Sequence, residues 1–138
     1  MATSDSVETL PLNGSDDVVR ARHRVRALAT ELGFDLVAQT RIVTATSELA
    51  RNTHLHGGGG ELTLSEVRDN RRRGLRLVFA DDGPGIPDVQ TALSDGWSSR
   101  GGLGLGLGGT RRLVDEFTIE SVPGEGTRVE IVQWLKQR

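Results

Sequence analysis

Around the glycine run at Gly57–Gly60 the chain changes its hydrophobic period. Before the run, Val18, Val25, Leu28 and Leu32 recur at helical spacing and Gly33 acts as a stop. A second, longer helix extends from Asp35, its cap, to about His56. After the run, Leu62, Leu64 and Val67 alternate as on a strand over Glu61 to Val67, and Leu75–Ala80 is a more continuously apolar and more buried strand. A chain that passes from paired helices to hairpins stacks its helices on one face of a sheet, because each element has an apolar side that needs cover.

The remaining elements fit that frame. Val7–Leu12 is expected as a short strand behind a frayed tail of residues 1–6. Asn13-Gly14 closes it, and Ser15 is the expected cap of the first helix, with Asp16 and Asp17 suiting the positive helix end. Asn70–Gly74 is expected as a hairpin connection holding three arginines. Pro84 and Pro87 interrupt regular structure, and Asp88 caps a short helix near Val89–Leu93. A helix through about Glu116 follows the glycine-rich stretch, and a last hairpin pairs Phe117–Val122 with Thr127–Trp134. The fold class is α/β (α+β): a two-layer sandwich of a mixed, mostly antiparallel sheet with helices on one face, in one domain over residues 1–138.

Composition removes several function classes. A net charge of −2 gives no global attraction to nucleic acid or anionic lipid. Aromatics are 4% of the chain, too few for a base-stacking platform. The absence of cysteine excludes thiol catalysis and zinc–thiolate sites. No apolar run is long enough for a membrane span and the N-terminus has no signal pattern, so no membrane or nucleic-acid partner is expected and the cytoplasm is the expected compartment.

Three stretches carry chemistry. In "SELARN" (47–52), Glu48 and Asn52 share a helix face one turn apart. An amide oxygen is a hard ligand for magnesium, and a carboxylate can take a proton from a hydroxyl. By itself the pair is better explained by a solvated face. In "FADDGPGIPD" (79–88), a buried strand delivers Asp81 to its C-terminal end, followed by Gly83-Pro84-Gly85. A carboxylate there accepts from an exocyclic amine, which selects adenine over guanine, and glycines let a flat ring come close to the backbone. The simpler reading is a strand-to-loop turn. In "RGGLGLGLGGTRRLVDEF" (100–117), glycines precede a helix, so free N–H groups face an anion. A linker would hold serines rather than alternating leucines. No G-K-[ST] follows and no strand precedes, so this is neither a P-loop nor a dinucleotide fingerprint.

Taken together and in this order, with a late Gly124–Thr127 element, these stretches resemble the GHKL ATP-binding family over about residues 15–134. The resemblance implies the Bergerat fold with ATP and Mg²⁺ as cofactors. Glu48 matches the glutamate that activates the attacking hydroxyl, and Asn52 the magnesium-holding asparagine. Asp81 matches the adenine-reading carboxylate, with Gly83, Gly85 and Ile86 behind the ring. Arg100, Gly102, Leu103, Gly104, Leu105, Gly106 and Leu107 match the phosphate-wrapping lid, and Thr127 the threonine beside the adenine. The small size and missing phosphoacceptor helix are similar to the free-standing serine/threonine kinases that act as anti-sigma factors and partner switches. That implies a STAS-domain antagonist or scaffold as substrate, with a regulatory phosphatase or a sigma factor as further partners, and leaves monomer or homodimer open. A non-catalytic ATP-binding anti-sigma factor and a simple ATPase are the alternatives. The lid from Arg100 to Gly109 is expected to order on ATP. Bland readings suffice for His54 and His56 at a helix end, for the solvated Arg71–Arg73 tip, and for Arg111 and Arg112.

Overall fold

The computed structural model describes residues 3–94 and 106–136, with side chains from residue 7 onward. Five strands form one sheet: β1 (Thr3–Pro11), β2 (Gly60–Asp69), β3 (Arg72–Asp81), β4 (Glu116–Val122) and β5 (Gly126–Trp134). Their order across the sheet is β1-β2-β3-β5-β4, and each of these neighbouring pairs is antiparallel. The helices are α1 (Ser15–Leu32), α2 (Leu36–Leu55), α3 (Val89–Leu93) and α4 (Gly106–Arg111). This is the expected two-layer sandwich.

Register explains both the core and the site. Leu10, Leu62, Phe79, Val129 and Ile119 are successive partners across all five strands. The next row holds Leu64, Leu77, Ile131 and Phe117. Both rows join one core with Val25 and Ala29 of α1 and Ile42, Ala45 and Leu49 of α2. Each large apolar side chain buried there contributes about 1.5–3 kcal/mol. One row further toward the end of the sheet the chemistry reverses: Asp81, Thr127 and Ser121 are partners across β3, β5 and β4. The apolar rows anchor the strands, and the polar row faces the C-terminal end of α2. On the opposite face Arg76 pairs with Glu130 at 2.8 Å.

Several boundaries depart from the expected ones. β1 starts at Thr3, so backbone pairing includes residues expected to fray. Gly14, not Ser15, is the N-cap of α1, and no side chain caps that helix. Asp17 Oδ2 instead accepts from the Asn13 N–H at 3.0 Å, which ties the entering turn to the first helical turn. The hairpin between β2 and β3 turns on Asn70 (φ 57) and Arg71 alone. Arg72 and Arg73 therefore belong to β3: Arg72 stacks on Trp134, 4.0 Å from the ring centre, and Arg73 pairs with Glu66 at 3.0 Å. α4 ends at Arg111 rather than Glu116. The Asp115 N–H donates to Gln133 at 3.1 Å and the Asp115 carboxylate accepts from the Trp134 N–H at 2.8 Å, so the sheet edge captures the segment that helical periodicity would continue.

Candidate functional site

A cavity of about 660 Å³ opens between the C-terminal half of α2, the turn after β3 and the polar end of the sheet. Its size suits a small-molecule ligand. From α2 come Leu49, Asn52, Thr53 and His56, which one helix face presents together because they are three or four residues apart. From the sheet come Phe79, Asp81, Thr127 and Val129, two alternating pairs on neighbouring strands. The turn adds Pro84 to Pro87, and α4 adds Leu107. The walls are mainly apolar, with Asp81, Asn52, Thr53, His56 and Thr127 as the polar side chains.

Asp81 is held for a task. Its Oδ1 accepts from the N–H of Gly83 at 2.9 Å and from the N–H of Thr127 at 3.3 Å. Among the described residues Oδ2 takes no hydrogen bond, so one acceptor oxygen is oriented and left for a donor. An amine that donates to it would be read by a rigid group, which costs little reorganisation.

The turn after β3 is clamped on both sides. The hairpin between β4 and β5 lies against it: the Gly124 N–H donates to the Pro84 carbonyl at 2.8 Å, and the Ile86 N–H donates to Ser121 Oγ at 2.7 Å. Gly85, at φ +78, leaves no room for a side chain against the Val122 carbonyl. Gly83 does not line the cavity. Its missing side chain admits the Gly57 backbone, which seats the turn against the end of α2.

Asn52 lines the cavity, and among the described residues nothing engages its side-chain amide. That free amide oxygen fits a magnesium ion carried in with phosphates. Glu48 stands one turn earlier on α2 and is not part of the wall. Its side chain is only 12% exposed, and Arg51 Nη1 lies 3.9 Å from Oε1, longer than a good hydrogen bond. Ile86 and Leu107 line the cavity, and Gly106 starts α4. Arg100, Gly102, Leu103, Gly104 and Leu105 lie outside the described residues, as does most of the expected lid. His56 faces the cavity; His54 does not, and the described residues contain no cluster of three metal-ligating side chains around either.

Sequence reasoning missed Gly57, Thr53 and Ser121. Gly57 is the most informative of these, because a Cβ there would run into the Asp81 carboxylate. The signal for Thr53 and His56 was available in the helix period, counted from Asn52. Ser121 had no local signal, since only strand register brings it to Thr127.

Residues 37–137 match the family described as histidine kinase-, DNA gyrase B- and HSP90-like ATPases, and the chain belongs to that family. With the relationship described next, this makes it an ATP-binding serine/threonine kinase domain that uses magnesium. It is 49% identical over 120 residues to the serine/threonine-protein kinase RsbT of Bacillus subtilis, covering 87% of this chain and 90% of RsbT. It is 30% identical over 130 residues to the anti-sigma F factor of Clostridium novyi, covering 91% of each. Its fold matches the RsbU and RsbW domains of Rv1364c from Mycobacterium tuberculosis with a TM-score of 0.66 at 19% identity, over 97% of this chain and 34% of that one. It also matches the catalytic domain of the histidine kinase ThkA with a TM-score of 0.53 at 16% identity, over 91% of this chain and 95% of that one.

Proposed function

We propose that the chain is a partner-switching kinase that transfers the terminal phosphate of ATP to a serine or threonine of a STAS-domain antagonist or scaffold protein. The observation that carries this reading is the convergence of Asp81, Thr127 and Asn52 on one cavity large enough for a nucleotide. In it, Asp81 Oδ2 accepts from the adenine amine, and Gly85 and Ile86 lie along the ring. Asn52 holds the magnesium, which when bound offsets phosphate charge and orients the terminal group. Glu48 takes the proton of the attacking hydroxyl, from a position one turn along α2 from Asn52. Gly102, Gly104 and Gly106 belong to the stretch that matches the family's phosphate-binding motif.

The similarity to anti-sigma F factors supports a regulatory role in which the partner responds to the nucleotide state. A regulatory phosphatase, engaged once the kinase is released, and a sigma factor are the further partners of this reading. Among the described residues no helix is long and apolar enough to cross a membrane. We place the kinase in the cytoplasm, where ATP and its protein substrate are available, with the whole chain acting as one catalytic domain.

The test is phosphoryl transfer from γ-labelled ATP and magnesium to a purified STAS-domain partner. Label should appear on a serine or threonine of the partner, and Glu48→Ala should remove it. Tight ATP binding with capture of a sigma factor and no label transfer would establish the non-catalytic anti-sigma alternative instead.

A further inference from the structure

The polar row at the end of the sheet includes a residue that no part of the reading above uses. Ser121 Oγ accepts from the Ile86 N–H at 2.7 Å and lies 2.8 Å from Thr127 Oγ1. A longer contact of 3.3 Å reaches the Gly126 carbonyl. A hydroxyl has one proton to give. Two arrangements follow. If Ser121 gives its proton to Gly126, Thr127 donates to Ser121 and presents a lone pair to the cavity. If Ser121 gives its proton to Thr127, the Thr127 O–H points into the cavity as a donor.

The 2.8 Å contact belongs to both arrangements, but the first also needs the 3.3 Å contact to Gly126, which is beyond the usual O–H···O length, so a base acceptor facing Thr127 from the cavity selects the second. The Ile86 N–H polarises Ser121 and makes its O–H a stronger donor. A chain running from Ile86 N–H through Ser121 O–H to Thr127 O–H is cooperative, because each donation strengthens the next. Both ends of the chain are cavity wall: Ile86 and Thr127 line it.

We propose that Ser121 is a positioning residue that fixes Thr127 as a hydrogen-bond donor toward the nucleotide base and so sets purine specificity. Asp81 is an acceptor and Thr127 is its register partner on the neighbouring strand. An acceptor and a donor side by side match a base edge that offers an amine and an unprotonated ring nitrogen. Adenine has that edge. Hypoxanthine and guanine present an oxo group and a ring N–H there, which reverse both positions. The inference rests on the adenine reading of the cavity.

The experiment is calorimetric titration with ATP and with ITP, whose base differs from adenine at that edge. The wild type should prefer ATP. Ser121→Ala should lower the ATP-to-ITP affinity ratio by about 5- to 10-fold, the worth of one directed hydrogen bond. The preference does not vanish, because Asp81 remains. Ser121→Thr, which keeps the hydroxyl, should restore the ratio. Thr127→Val removes the far end of the same chain and should lower the ratio equally, and adding Ser121→Ala to it should cost nothing more. That second route stands even if Ser121→Ala folds poorly. Parallel losses for ATP and ITP in Ser121→Ala, or additive losses in the double variant, would reduce Ser121 to a packing role and overturn the proposal. A wild type that binds ATP and ITP equally would overturn the adenine reading itself, and this inference with it.

Discussion

Asp81 on β3 and Thr127 on β5 are register partners, and the Thr127 N–H donates across the sheet to Asp81 Oδ1 at 3.3 Å. The bond fixes the carboxylate plane through backbone that cannot rotate away. On the proposed reading, nucleotide preference rests on a group set before the ligand arrives. Asp81→Asn keeps an oxygen for these N–H groups but turns an NH₂ toward the base. ATP binding should weaken by about 1–3 kcal/mol, since a donor would face the adenine amine. GTP should not gain as much. Calorimetry on both nucleotides checks it, and unchanged ATP affinity would exclude Asp81 from base recognition.

Gly57 supports the same carboxylate from the opposite side. Its φ is not in the left-handed region, so alanine is conformationally permitted there. A Cβ would nevertheless press on the Asp81 carboxylate, which two N–H groups hold in place. Gly57→Ala should cost adenosine at least about tenfold in affinity, or ~1.4 kcal/mol, with little change in thermal stability. Equal losses in melting temperature and binding would mean that the turn itself had moved.

Two of the three expected helix caps were legible because capping is local, while at α1 the cap is Gly14 rather than Ser15. Asp35 accepts from the Ala38 N–H at 2.8 Å, and Asp88 from the Thr91 N–H at 3.1 Å, both at the expected helix starts. Asn52 and Asp81 stood out only through the order of the three motifs, because neither stretch alone outweighs its simpler reading. What escaped depends on contacts across the sheet. Helical spacing through Leu113 and Val114 suggested a continued helix, but their partial burial comes from packing against the core while Asp115 is tied to β5. Arg72 looked like part of a solvated tip until register set it over Trp134.

Glu48 and Asn52 should separate chemistry from binding. Glu48→Gln should slow single-turnover phosphoryl transfer roughly 10²–10⁴-fold with ATP affinity retained, since Glu48 is not part of the cavity wall. A variant that loses affinity and keeps its transfer rate would refute its role as base. Asn52→Ala should weaken ATP with magnesium far more than adenosine, which brings no cation. Equal losses for the two ligands would assign Asn52 to packing.

Protonation of Asp88 should loosen the α3 side of the cavity. Asp88 accepts from the Thr91 hydroxyl at 2.8 Å and from its N–H at 3.1 Å. These two bonds, the hydroxyl foremost, hold the carboxyl below its ordinary value of 3.8. A carboxyl lowered in the folded state contributes stability that is complete above its unfolded value and is lost as pH falls through the lower folded value. Above the ordinary value the cap is intact. In more acid solution α3 should fray, and α4 should follow, because Gly108 packs against the Leu93 carbonyl at the end of α3. Leu107, which α4 presents to the cavity, would shift with it. Carbon-13 titration of the Asp88 carboxyl should give a midpoint below 3.8, and the Thr91 amide resonance should move with the same midpoint. Asp88→Asn should remove that titration of Thr91. A Thr91 amide that titrates unchanged in Asp88→Asn would assign the acid sensitivity to another group.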